Sequence, residues 1–180
     1  QDNKKYVDFF SGIAVSSLGY GNRALSRALH HQVDALMHSS NHYYNREQNE
    51  AGRLLNEVSF PGKTLFVNSG TEATEAAIKL ARRYGLSQGK DRYHIITFDN
   101  SFHGRTFGGM TATAQKKIHD GFGPLVPGFI YLPGNDIRAF EKEIKKNRGV
   151  CAVMIELIQG EGGIQIADRG YVKELFRLCN

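Results

Sequence analysis

Three short stretches carry residue types suited to holding a flat, anionic ligand. The first, Asn68-Ser69-Gly70-Thr71, leaves an apolar run and enters a good helical pattern. Gly70 has no Cβ, so a ligand can approach its backbone closely. The first N–H groups of a helix lack helical partners, and the helix dipole adds positive potential there, which suits a phosphate. The second stretch is DNSFHGRT, residues 99–106. Phe102 beside Gly104 can offer an aromatic face to a planar ring, and Arg105 can take a carboxylate through two parallel hydrogen bonds. His103 can serve as an acid, a base or a hydrogen-bonded turn residue. The third stretch is IELIQGEGG, residues 155–163, where Glu156 and Glu161 flank a turn built on Gly160, Gly162 and Gly163. Paired carboxylates there can exchange protons or hold basic groups. Taken singly, each stretch is equally compatible with a capped or glycine-rich turn of purely structural use.

Two nucleotide motifs fail on context. A dinucleotide fingerprint needs G-x-G-x-x-G between strand and helix, and the turn at Gly70 has a single glycine. PGKT at Pro61 ends like a P-loop, but Glu57 stands at the first glycine position and a strand pattern follows. Composition is that of an ordinary globular chain: 180 residues, 41% hydrophobic and 23% charged, with a net charge of +5. The basic residues are scattered. The densest group, Lys142, Lys145, Lys146 and Arg148, alternates with Glu141 and Glu143, which describes a solvated helix face and not a nucleic-acid patch. A mild positive field still favours anionic small substrates. Cys151 and Cys179 have neither metal-like nor redox spacing, so a reducing, cytoplasmic setting is expected, with Cys151 buried as a small hydrophobe. No apolar run reaches the roughly 18 residues of a membrane span. The chain opens at Gln1 and closes within a helical pattern at Asn180, so both ends are expected to have been cut from something longer.

The elements that must position these stretches follow from periodicity. Residues 6–10 read as a short strand, 22–37 as a helix capped by Asn22, and 47–58 as a second helix. Strands and helices then alternate. Strands are expected at 64–67, 94–98 and 150–155, and helices at 72–84, from Asn135 or Asp136 to 146, and at 170–178. In the helix at 72–84, Ala73, Ala77, Leu80, Ala81 and Tyr84 are expected to share the buried face, with Glu75 and Lys79 paired. Alternation of this kind implies an α/β layer with a mostly parallel sheet, and ligands bind beyond the carboxyl ends of such strands. All three stretches fall at those ends.

Together and in this order, the stretches resemble the class III aminotransferases, which use pyridoxal 5′-phosphate (PLP). The segments YVDFFSGIAVSSLGYGN, SSNHYYN, FVNSGTEATEAAIKLARR, FDNSFHGRTFGGMTAT, GFGPLVPGFIYLPGND and IELIQGEGG carry the resemblance, which covers essentially the whole chain. It implies a fold-type-I PLP-transferase large domain, partial, with residues 1–38 as an N-terminal segment and 39–180 as the first part of the PLP-binding domain. It implies that Ser69, Gly70 and Thr71 hold the cofactor phosphate and that Phe102 stacks on the pyridine ring. His103, Glu156 and Gln159 complete the cofactor surroundings. Arg105 is implied to bind the substrate α-carboxylate, and Glu161 to gate the site by pairing with a second arginine. Tyr44 and Ile13 are implied to line the substrate pocket. Ile13 stands where ornithine-type members carry a tyrosine and is similar to both acetylornithine and 4-aminobutyrate members, while SFHGRT and GFGPLVPGF resemble the acetylornithine branch. The alternatives are another class III donor (4-aminobutyrate, ornithine or succinylornithine) or a non-catalytic PLP-binding fragment. The implied activity moves the terminal amino group of N-acetylornithine to 2-oxoglutarate in a homodimer, with no metal, nucleic acid or membrane.

The chain departs from the family pattern at Tyr20-Gly21-Asn22-Arg23 (usually H-x-H-P), at Thr74 (usually Asn) and at Leu157 (usually Pro). No lysine here has the context of the cofactor-bearing lysine, and no aspartate that of the pyridine-nitrogen partner. Both are expected downstream of Asn180, which makes these residues the N-terminal half of a catalytic unit, inactive alone.

Overall fold

The computed structural model describes residues 2–180. By packing, the chain divides after Thr64, and the remainder from Leu65 to Asn180 forms a second unit.

In the second unit, β1 (His94–Phe98), β2 (Phe129–Leu132) and β3 (Val150–Val153) form a parallel sheet in the order β2-β1-β3. Successive side chains of a strand point to opposite faces, and β1 shows why both faces must be covered. Ile96 and Phe98 pack with Phe140, Tyr171 and Leu175, which come from the helices Ile137–Lys146 and Arg169–Cys179. Ile95 packs with Ile78 of the helix Gly70–Gln88 and with Ala112 of the short helix Phe107–Ala112. The expected parallel sheet flanked by helices is therefore present. Asp136, and not Asn135, caps its helix, its carboxylate accepting from the Ala139 amide at 3.0 Å. Cys151 is half-buried and joins the Ile78–Ile95 cluster, and burial pushes its thiol pKa up.

Several expectations need correction. Residues 64–67 do not form a strand: they have no pairing partner among the described residues, and Leu65 is exposed. The third strand stops at Val153. Pairing that periodicity did not reveal occurs at β2 and in an antiparallel hairpin, β4 (Ile158–Gln159) with β5 (Gln165–Ile166). The helix Gly70–Gln88 buries Ile78 and Gly85 with half-buried Ala81 between them, while Ala73, Ala77, Leu80 and Tyr84 lie exposed. Two turns of that helix must face the sheet, and the small Gly85 is what allows the close approach.

In the first unit, the helices Arg23–Ala35 and Arg46–Val58 are capped by the side chains of Asn22 and Asn45. The former ends two residues short of the expected Met37. Residues 6–10 are not a strand. Asp8 instead folds the chain into a turn, accepting from the Phe10 and Ser11 amides at 2.7 and 2.9 Å. Ser11, Gly12, Ile13 and Ala14 all have φ between 49° and 63°, a left-handed turn that is unfavourable for three non-glycine residues. No helix among the described residues is long and apolar enough to cross a membrane.

Candidate active site

The helix Gly70–Gln88 begins on a tight cap. Ser69 Oγ accepts from the Glu72 amide at 3.3 Å, and the Glu72 carboxylate reaches back to the Asn68 amide at 2.6 Å. This is a variant of the reciprocal capping box. It leaves the Gly70 and Thr71 amides without partners among the described residues. A Cβ at Gly70 would meet nothing within 4 Å, so the space in front of that turn is open. Two free N–H groups at the positive end of a 19-residue helix make an anion cradle.

The loop after β1 lies against this helix start. Gly104 has φ +126°, and a Cβ there would sit 2.4 Å from Thr71 Oγ1, so glycine is required twice over. Thr71 Oγ1 lies 3.1 Å from Thr106 Oγ1, and the Thr106 hydroxyl donates to Glu75 Oε1. Phe102 is half-buried, and its amide donates to Glu156 Oε2 at 2.9 Å. The Arg105 guanidinium is exposed, sits 5.6 Å from the Phe102 ring centroid, and makes no ion pair among the described residues. It is free to take a carboxylate.

The third strand end completes the surface. Gln159 Nε2 donates to Asp99 O at 2.9 Å, which ties β4 to the loop after β1. Asn135 Oδ1 accepts from the Asp168 amide at 2.8 Å, which ties the loop after β2 to the far side of the hairpin. Glu156 and Gln159 line a cavity of about 330 Å³ together with Asp99, Asn100 and Asn135. Burial raises the Glu156 carboxyl above its usual range. The Phe102 amide pulls it down, and the charge of Glu161 adds a smaller upward push. Glu161 itself is exposed between β4 and β5. A larger cavity, about 760 Å³, runs along the open side of β3 and is lined largely by apolar residues such as Phe140, Ile144 and Leu175.

His103 is buried, its amide donating to Thr113 Oγ1 at 2.8 Å, while its ring Nε2 is buried without a partner. Burial pushes its pKa down to about 4, so the ring is neutral at pH 7. The folded state thus binds fewer protons at this site than the unfolded chain, and stability falls as pH drops from about 6.5 to about 4. A His103→Gln protein is expected to lose part of this acid sensitivity. Urea midpoints measured across that range check it. Parallel pH profiles for parent and variant would contradict the assignment.

The structure brings Ser69, Gly70, Thr71, Phe102, His103, Arg105, Glu156, Gln159 and Glu161 onto one set of loops in the second unit. Ile13 and Tyr44 belong to the first unit, where both are exposed. Two residues that sequence reasoning overlooked are structural partners of the site. Glu75 turns to Thr106 and Gly109 and makes no ion pair with Lys79 among the described residues. Asn135 adopts φ +59°, and its place directly before the Asp136 cap is the one sequence signal that could have marked it as a turn.

Residues 1–180 match the family model Aminotransferase class-III. The acetylornithine aminotransferase of Caldanaerobacter subterraneus subsp. tengcongensis is 52% identical over 180 residues, which is 99% of this chain and 45% of that protein. The acetylornithine aminotransferase of Aquifex aeolicus is 47% identical over 180 residues, 99% of this chain and 47% of that protein. The chain therefore spans about half the length of these curated relatives. The crystal structure of ornithine aminotransferase from Toxoplasma gondii superposes with a TM-score of 0.90 at 30% identity, covering 98% of this chain and 42% of that one. A second structure of that enzyme has PLP at partial occupancy in its active site. The parallel sheet with helices on both faces is thus part of the fold-type-I transferase domain. The chain belongs to the class-III aminotransferase family.

Proposed function

We propose that this chain supplies the phosphate cradle, the ring-stacking face and the carboxylate anchor of a PLP-dependent transaminase that moves the terminal amino group of N-acetylornithine to 2-oxoglutarate. The observation that carries this reading is the shared surface at the strand ends: free Gly70 and Thr71 amides, the Phe102 ring and an unpaired Arg105 guanidinium, locked side by side through Gly104 and Thr106. These residues fit PLP. Two amides at a helix start suit its phosphate, the aromatic face suits its ring, and the buried, unpartnered His103 Nε2 offers a neutral hydrogen-bonding group nearby.

When bound, PLP supplies the electron sink for the chemistry at the amine carbon. The work of this chain is positioning. Gly70 and Thr71 fix the phosphate end, and Phe102 fixes the plane of the ring. Arg105 fixes the carboxylate at the far end of the substrate, which directs the terminal amine toward the reacting atom. Glu161, exposed between β4 and β5, disfavours a second carboxylate while it stands in the pocket and admits one when it turns away, so a monocarboxylate donor and a dicarboxylate acceptor can use the same site. Ile13 and Tyr44, in the first unit, are the further substrate-binding residues that the resemblance names. The names of the relatives support N-acetylornithine as donor, and Ile13 argues against an ornithine-type enzyme. The exposed apolar side chains of the first unit, among them Phe9 and Val58, call for cover by further protein, and a homodimer is the assembly that the resemblance implies. The same reading places residues 1–38 in an N-terminal segment, 39–180 in the PLP-binding domain, and the protein in the cytoplasm.

The test is glutamate formation by the complete protein from 2-oxoglutarate with N-acetylornithine, succinylornithine, ornithine or 4-aminobutyrate in parallel. The expected result is the highest kcat/KM with N-acetylornithine. A preference for another donor would overturn the substrate, and no transfer from any donor would overturn the activity.

A further inference from the structure

Glu75 sits one helical turn beyond Thr71, and its carboxylate is turned away from solvent lysines toward the Arg105 loop. Oε1 accepts from the Thr106 hydroxyl and, at 3.1 Å, from the Gly109 amide. Thr106 is the residue directly after Arg105 and the N-cap of the helix Phe107–Ala112. That helix has no side-chain cap of its own, so Glu75 supplies from outside the acceptor that an N-cap side chain ordinarily provides. The fit is close: a Cβ at Gly108 would lie 2.5 and 2.6 Å from the two carboxylate oxygens. The contact fixes the polarity of a hydrogen-bond chain. Thr106 has one hydroxyl proton and gives it to Glu75, so it can only accept from Thr71 at 3.1 Å. The Thr71 hydroxyl proton is therefore committed inward, and Thr71 offers an outer anion its backbone amide.

We infer that Glu75 is a positioning residue for substrate: it holds the start of the helix Phe107–Ala112, and thereby Arg105, at a fixed place beside the anion cradle, while the cradle itself stands without it. This rests on Arg105 being the carboxylate anchor. Glu75 touches neither reacting atoms nor the phosphate, and the cradle is capped by Ser69 and Glu72, so its loss acts chiefly on carboxylate binding.

The test uses the complete protein loaded with PLP. Glu75→Ala is expected to raise KM for N-acetylornithine about tenfold, the scale of a lost charge-assisted hydrogen bond, with kcat changed less than about threefold. The Kd of N-acetylnorvaline, which keeps the carboxylate and lacks the terminal amine, should rise by a similar factor in calorimetry. The Kd of PLP for the cofactor-free protein should stay within about threefold, the residual expected of sites that do not couple. Glu75→Gln keeps an acceptor oxygen and should restore most of the affinity. In the double variant Glu75→Ala/Arg105→Ala the loss should not exceed that of Arg105→Ala alone. If Glu75→Ala fails to fold, Thr106→Val breaks the same chain and should show the same non-additivity. Multiplying losses, or a fall in PLP affinity with KM unchanged, would overturn the positioning role. An Arg105→Ala protein with unchanged KM would instead overturn the reading of Arg105 beneath it.

Discussion

Replacing Arg105 by alanine in the complete protein is expected to raise KM for the amine donor about a hundredfold while PLP still binds. The magnitude follows from the pairing. A guanidinium and a carboxylate pair through parallel charge-assisted bonds, and an exposed, partly solvated pair of this kind loses about 2.7 kcal/mol net when broken, which is a hundredfold in affinity. Arg105 has no ion pair of its own among the described residues and stands over the Phe102 ring, so its removal breaks no structural bridge. Lysine should not restore the affinity, because an ammonium cannot match the forked geometry. Steady-state kinetics with saturating 2-oxoglutarate, beside a PLP titration, separate the outcomes. An unchanged KM would remove Arg105 from the substrate site.

Gly85→Ala is expected to destabilise the fold by about 3 kcal/mol, at the upper end of what an overpacked core site costs. Helix propensity alone predicts the opposite sign, since alanine is better than glycine inside a helix by about 1 kcal/mol. Sterics decide. A Cβ at Gly85 would lie 2.2 Å from the carbonyl oxygen of Arg92 and 2.4 Å from the Cβ of Cys151. The first is backbone of the turn that leads into β1, and the second belongs to β3. Neither can swing aside as a flexible side-chain end would. The helix would have to lift from the sheet, and its N-terminal amides would move with it, so PLP affinity should fall along with the denaturation midpoint. An unchanged urea midpoint would show that the helix packs less closely than this geometry requires.

These two expectations also mark what the amino-acid sequence carries and what it leaves out. Arg105 could be singled out because its neighbours Phe102 and Gly104 stand in a pattern that resembles a family, and because carboxylate recognition needs few residue types. The Asn22 cap and the strands β1 and β3 were legible from local chemistry and from alternating elements. Gly85 was not, because the buried face of its helix is set by where the sheet lies. An Ala-Leu-Tyr stripe looks apolar in sequence, yet Leu80 and Tyr84 are exposed while Ile78 and Gly85 are buried. Tertiary context outweighs periodicity in a helix that is rich in alanine. The helix Phe107–Ala112 escaped for a related reason: two glycines in six residues oppose a helix, and an external acceptor, Glu75, together with burial of Gly108, Gly109 and Met110, overrides that preference. β2 is four residues long, and although FIYL carries strand-forming residues, so short a run is too brief for its alternation to be read. Residues 64–67 illustrate the converse. Their β pattern is sound, but a strand exists only with a partner, and the described residues provide none. Glu75 was hidden because an i, i+4 lysine gave it an adequate local explanation, while its actual partners lie 31 and 34 residues away in sequence.

The central claim is that the helix start at Gly70 and Thr71 holds the phosphate of PLP with Phe102 against its ring and Arg105 free for a carboxylate. A crystal structure of the complete protein with PLP tests it most directly. Phosphate oxygens are expected at about 3 Å from the Gly70 and Thr71 amides, the pyridine ring against Phe102, and the Thr71 hydroxyl still directed to Thr106. A phosphate bound elsewhere, with those amides facing solvent, would contradict it.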